Sequence, residues 1–236
     1  MAKAVWHGFD TRADMVRALA DKTGTALEAA VAARGVASWA VSGGSTPKPL
    51  FAALAAAPLP WPHIQVALVD ERWVPRSHPS SNEALVWSDL LRGAASGAPF
   101  QAMKTAHGDP FTAAPAVNAH YSALPLPFDM VLLGLGPDGH TASLFPAAAG
   151  LEAALDPAGV ALCAPIRAVQ SNVTGQETLR MTLTLTALKT ARAVTLMITG
   201  PDKKAVLQRA LDTDTHLPVA RVVRGLDTDV QIYWAP

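Results

Sequence analysis

An aspartate and a histidine stand one glycine apart in the stretch GLGPDGHTASLFP, Gly134 to Pro146. A carboxylate beside an imidazole can fix the ring's tautomer and keep its other nitrogen basic, and imidazoles change charge within the physiological range. Asp138 and His140 are therefore candidates for general acid–base chemistry. Gly134, Gly136 and Gly139 frame the pair, and glycine lets a backbone bend where a Cβ would clash. The run GLGPDG also fits G-x-G-x-x-G, the dinucleotide-binding pattern, and follows the apolar run FDMVLL as that pattern requires. Its wider context does not fit. A dinucleotide loop must feed a long helix whose first amides face the pyrophosphate, whereas Pro146 follows closely on His140. Asp138 would place a carboxylate among phosphates, and VALCAP, where a ribose-binding acid belongs, ends in Ala164 and Pro165. The stretch reads as a place for chemistry more than as a cofactor cradle.

A second cluster, SGGSTP, suits an anion. Gly43 and Gly44 allow successive backbone N–H groups to turn toward one point. Ser45 and Thr46 add hydroxyls, and the helix expected next, with Thr46 as cap and Pro47 at its first position, adds its positive end. The same letters also describe an ordinary glycine turn. In VDERW, Asp70, Glu71 and Arg72 end an apolar run, and Arg72 could grip an oxyanion bidentately. Lys203 in GPDKK stands at a helix start, where a lysine opposes the dipole unless an anion is present. Arg180 enters the strand-like LRMTLTL and needs a partner, either substrate or a structural salt bridge. No G-x-S-x-G nucleophile elbow and no H-E-x-x-H zinc spacing occurs. The lone Cys163 excludes an internal disulfide and reads as a buried core residue.

These groups need elements to hold them. The run KAVWHGF reads as an opening strand, and Met15, Val16, Leu19, Leu27 and Val31 recur at helical spacing before Gly35. SWAVS, IQVALVD, FDMVLLG, AVTLMITG and DVQIYW read as strands, with helical PKPLFAALAAA, SNEALVWSDLL and PDKKAVLQRAL among them. VALCAP and RMTLTL read as strands or extended segments, and AVNAHYSAL as a short helix. The alternation predicts an α/β fold with a mainly parallel sheet, in one domain spanning 1–236. The Pro- and Ala-rich stretch 94–127 reads as an insertion over one end of that sheet. Ligands of such sheets bind beyond the carboxyl ends of the strands. SGGSTP, VDERW, GLGPDGHT and TGPDKK all lie at such ends and can converge on one crevice.

Nineteen Lys plus Arg balance nineteen Asp plus Glu. With no basic block, attraction to nucleic acid or an anionic membrane is not expected. An early carboxylate argues against a signal peptide, and no uncharged run is long enough to span a bilayer. The expectation is a cytoplasmic protein, monomeric or weakly dimeric.

The segments SGGSTPKPLF, VDERWVP…HPSSNEAL, VLLGLGPDGHTASLFP, RMTLTLTAL and ITGPDKKAVL, in this order, closely resemble the family of 6-phosphogluconolactonases and glucosamine-6-phosphate deaminases. The resemblance implies a Rossmann-like three-layer sandwich and hydrolysis of 6-phospho-D-glucono-1,5-lactone to 6-phosphogluconate in the oxidative pentose phosphate pathway. It implies no metal and no cofactor, and a phosphorylated sugar lactone as the only partner. His140 would be the general base, Asp138 its orienter, and Arg72 would place substrate or steady the oxyanion. Gly43, Gly44, Ser45, Thr46, Lys203 and Arg180 would hold the phosphate, while Asp70 and Asn82 match motif positions of undivided role. Deaminases of the family carry a Glu in a D-G-H-I-A-F-N-E pattern where this chain has Phe145. An isomerase or deaminase, or a sugar-phosphate sensor without turnover, are the alternative functions.

Overall fold

The structure, a computed structural model, describes residues 3–236. The chain opens with β1 (Ala4–Gly8) and α1 (Arg12–Arg34). Thr11 caps α1 by accepting from the Asp14 N–H, and Gly35 ends it in the left-handed region at φ 77°. Next come β2 (Ala37–Val41), α2 (Lys48–Ala55), β3 (Ile64–Leu68), β4 (Asp70–Arg72), α3 (Asn82–Asp89) and β5 (Phe100–Gln101). They are followed by α4 (Pro110–Ser122), β6 (Met130–Leu133), α5 (Leu151–Ala154), β7 (Cys163–Arg167), β8 (Leu179–Leu183) and α6 (Leu185–Lys189). The chain closes with β9 (Val194–Thr199), α7 (Pro201–Asp212), α8 (Pro218–Gly225) and β10 (Val230–Ala235).

Seven strands form one wholly parallel sheet in the order β1-β10-β9-β6-β2-β3-β5. Helices flank it, giving the α/β three-layer fold. Parallel strands covered on both faces must be apolar throughout, and β2 and β6 are buried at every position. Chain order runs from β2 toward β5 in one direction and from β6 toward β10 in the other. The reversal between β2 and β6 is a topological switch point, where the strand ends diverge and leave a crevice. Fully buried Trp39 on β2 meets Phe51 of α2 edge-on at 6.0 Å. Burial of a ring of that size is worth roughly 1.5–3 kcal/mol, and it seats α2 so that the connecting loop 42–47 lies at the crevice.

The segments around Cys163 and Met181, strands or extended segments by sequence, are strands outside the main sheet. β7 and β8 form a small antiparallel sheet with β4 in the order β4-β8-β7. Thr46 does not cap α2; the helix begins at Lys48 with Pro47 as its cap residue and no side-chain cap bond. Residues 94–127 are not an insertion over the sheet end, since they supply its edge strand β5 and the helix α4. Asp109 caps α4 by accepting from the Phe111 N–H at 2.7 Å, and Pro110 takes the first turn. The buried Tyr121 hydroxyl donates to Leu68 O at 2.9 Å and accepts from Leu68 N at 3.2 Å, so α4 braces the end of β3.

Val69 carries the chain from one sheet to the other. Its N–H donates to Val41 O at the end of β2, and its carbonyl accepts from Leu183 N of β8. That crossing brings β4 beside the loop after β2. No helix of the described residues is long and apolar enough to cross a membrane.

Candidate active site

A cavity of about 410 Å³ opens at the switch point. A larger concavity, about 850 Å³ between α1 and α2, is mainly apolar and holds none of the residues singled out as catalytic or substrate-binding. The smaller one is lined by Gly43, Gly44, Ser45, Thr46, Asp70, Arg72, Asn82, His140, Arg180 and Lys203. Asp138 stands behind His140. The structure thus brings together every residue singled out from the sequence as catalytic or substrate-binding.

The loop after β6 is built around its histidine. The Gly136 N–H donates to His140 O at 2.9 Å, the Gly139 N–H donates to Gly136 O at 3.1 Å, and Gly139 adopts φ 81°. This turn folds Asp138 against His140, with Asp138 Oδ1 2.5 Å from Nδ1 of the ring. The same oxygen accepts from the His140 backbone N–H at 3.2 Å. With Nδ1 as donor to the carboxylate, Nε2 keeps its lone pair. Burial works against the ionised form of Asp138, but hydrogen bonding and charge from His140 outweigh it and hold the carboxyl below its usual value. The ring of Phe145 lies 4.2 Å from the imidazole, tilted by 37°.

Strand alternation sorts VDERW. Asp70 and Arg72 share one face of β4, and Glu71 points to the other. Arg72 stands directly opposite Arg180 across β4 and β8, with Asp70 opposite Thr182. Two guanidinium groups side by side repel, and burial together with Arg72 pushes Arg180 down to about 10. Arg180 donates from Nε to Glu177 O at 2.5 Å and from Nη2 to Thr174 O at 2.8 Å. Those bonds go to backbone carbonyls, and among the described residues no carboxylate forms a salt bridge with it. Arg72 Nη1 donates to Ser80 O at 2.6 Å, while its buried Nε has no partner among the described residues. Lys203, on the first turn of α7, is half-buried, and burial lowers its ammonium from the usual value. Three cations held partly out of water around one cavity are stabilised by an anion that bonds to them.

Glu71 serves the frame. Fully buried, it accepts from the N–H groups of Arg72 at 2.7 Å and of Asn82 and Glu83 at 2.8 Å, and from the Ser81 hydroxyl at 3.1 Å. It thereby satisfies the first amides of α3. Burial nevertheless pushes it up to about 7. The α3 residue Asn82 donates from Nδ2 to Asp70 O at 2.9 Å. Its Oδ1 lies where a Gly43 side chain would be, at 1.9 Å from an ideal Cβ, so Asn82 shapes the glycine loop. Gly44 follows at φ 89°. Thr46, free of capping, faces the cavity instead.

Asn172 and Val173, between β7 and β8, also line the cavity. Their segment QSNVTGQE carries no periodicity or motif that could have marked it. Phe145 was read only for the acid it replaces, yet besides packing on His140 its ring lies 5.4 Å from the Arg180 guanidinium carbon. Cys163 is buried on β7, which pushes its thiol up and removes it as a nucleophile.

Residues 10–234 match the family described as glucosamine-6-phosphate isomerases/6-phosphogluconolactonase. A 6-phosphogluconolactonase of Mesorhizobium japonicum is 40% identical over 231 residues, covering 98% of this chain and 95% of the relative. One of Pseudomonas aeruginosa is 40% identical over 226 residues, covering 95% and 92%. The crystal structure of a 6-phosphogluconolactonase from Shewanella baltica superposes with a TM-score of 0.92 at 37% identity, covering 99% of this chain and 98% of that one.

Proposed function

The chain belongs to the glucosamine-6-phosphate isomerase/6-phosphogluconolactonase family, and on that premise we propose that it hydrolyses 6-phospho-D-glucono-1,5-lactone to 6-phosphogluconate, the lactone-opening step of the oxidative pentose phosphate pathway. The observation that carries this reading is the Asp138–His140 pair at 2.5 Å, with its ring at the cavity that Arg72, Arg180 and Lys203 line. A base and an anion grip across one cavity suit a neutral electrophile tethered to a phosphate.

In this mechanism Nε2 of His140 takes a proton from water as the oxygen adds to the lactone carbonyl carbon. Asp138 keeps Nδ1 protonated and steadies the imidazolium that forms. Arg72 stabilises the charge that develops on the carbonyl oxygen. The tetrahedral intermediate then collapses, the bond from the carbonyl carbon to the ring oxygen breaks, and the imidazolium returns its proton to that oxygen. Gly43, Gly44, Ser45, Thr46, Arg180 and Lys203 hold the phosphate, and Asp70 and Asn82 support the grip. A lactone is an activated ester, so a placed base and water suffice without a Ser or Cys nucleophile. Phe145, where deaminases carry an acid, favours the lactone over an amino sugar.

Enzyme mixed with freshly generated lactone, beside an enzyme-free blank, tests the reaction. Turnover well above the spontaneous rate, with no ammonia released from glucosamine 6-phosphate, is expected. Ammonia release, or lactone loss at the blank rate, overturns the reading.

A further inference from the structure

The base and the two arginines stand on different sheets, while the glycine loop 43–46 and Lys203 follow strands of the base's own sheet. His140 follows β6 of the parallel sheet, whereas Arg72 and Arg180 stand on β4 and β8 of the antiparallel one. Hydrolysis as proposed requires these groups to keep a fixed separation, because substrate held by one must meet the other. The loop crosses that gap at Ser143, three residues beyond the histidine. Ser143 is fully buried, and its hydroxyl donates to Asp70 Oδ2 at 2.6 Å. Its backbone N–H donates to Thr182 Oγ1 at 3.3 Å. Asp70 and Thr182 are the cross-strand pair two residues before Arg72 and Arg180 on the same face, with Glu71 and Met181 between them. The preceding Ala142 is held at φ 51°, a conformation that side-chain-bearing residues rarely adopt, so the surrounding contacts determine the path of the chain here.

We infer that Ser143 is a positioning residue for the reaction: its buried hydroxyl, bonded to Asp70, pins the loop carrying the base to the strand pair carrying the arginines. The inference rests on the lactonase reading for its kinetic consequences, but the clamp itself has a separate readout. Removing the hydroxyl leaves Asp70 Oδ1 with its bond from Asn82 Nδ2 at 3.3 Å, so the glycine loop stays shaped and the phosphate stays held. The distance from base to carbonyl changes instead.

Ser143→Ala is therefore expected to lower kcat by on the order of 10- to 100-fold, as an ångström of misplacement does, with KM within about threefold of wild type. Asp70→Ala lowers kcat as well, and the double variant falls no further than Asp70→Ala alone, because both changes break one link. Amide hydrogen exchange across residues 134–145 speeds up in Ser143→Ala, while the strands keep their protection. A folded Ser143→Ala with wild-type kcat overturns the proposal, as does a KM that rises as much as kcat falls, or a double variant whose loss is the product of the two single losses. If the wild-type protein fails to exceed the blank, the lactonase reading fails. The clamp then stands on hydrogen exchange alone, and unchanged exchange over 134–145 overturns it.

Discussion

Gly136 has no side chain because His140 occupies that space. A Cβ there would lie 2.0 Å from Cε1 of the imidazole, 2.1 Å from its Nδ1 and 2.8 Å from Asp138 Oδ1. No side chain tolerates such contacts, so Gly136→Ala must swing the ring or break its bond to Asp138. Since the ring's placement governs attack and not substrate capture, kcat is expected to fall by on the order of 100-fold with KM nearly unchanged. Steady-state kinetics on fresh lactone check this, and a wild-type kcat contradicts it. Lys203 predicts the converse. Half-buried and opposed to the dipole of α7, it gains from a phosphate in the ground state and the transition state alike. Loss of one charge-assisted bond, about 1.5–3 kcal/mol, raises KM by roughly 10- to 100-fold in Lys203→Ala while kcat holds. An unchanged KM removes Lys203 from the phosphate site.

The strand β4 shows how one short element divides its labour. Its alternation sends Asp70 and Arg72 to the cavity and Glu71 under the start of α3. Glu71 titrates near 7 in the folded chain against 4.5 as a free group, because burial disfavours its charge more than the donors around it favour it. The native state therefore binds the extra proton between these values. The stability contributed by that group is full below about pH 4.5 and is lost as pH rises to about 7. Urea unfolding of wild type and Glu71→Gln at several pH values checks this. The stability difference should move against wild type across the window and stay flat above it, and a difference independent of pH contradicts the assignment. Much of this element was legible beforehand. Buried parallel strands announce themselves as apolar runs such as IQVALVD, and the glycines, Arg72, Asp138, His140 and Lys203 stood out because their types clash with an ordinary strand end or helix start. Less was legible where the outcome depended on tertiary pairing. Nothing local distinguishes CAPIR as a strand of a second sheet from a strand of the first. Thr46 lost its cap because Pro47 took the cap position itself. The contribution of Ser143 depends on Asp70, which lies 73 residues away.

Across the whole molecule, formal charges cancel, yet Arg72, Arg180 and Lys203 meet at one cavity of an otherwise balanced surface. Affinity for an anion must then come from contact, since fields between exposed charges fade over about 8 Å at physiological salt. A ligand that fits is expected to stabilise the fold by mass action. At a hundred times its Kd, 6-phosphogluconate should contribute about 2.7 kcal/mol, which for a chain of this size raises Tm by roughly 5–11 °C. The rise should shrink sharply in Lys203→Ala, and an equal rise in both proteins would place the phosphate elsewhere. The account as a whole turns on the imidazole. Its most direct test is the rate of His140→Ala on freshly generated 6-phosphogluconolactone, measured beside wild type and an enzyme-free blank, with folding confirmed by an unchanged circular dichroism spectrum. The prediction is that the folded variant loses nearly all of the rate above the blank. A variant that retains most of the wild-type excess contradicts the account.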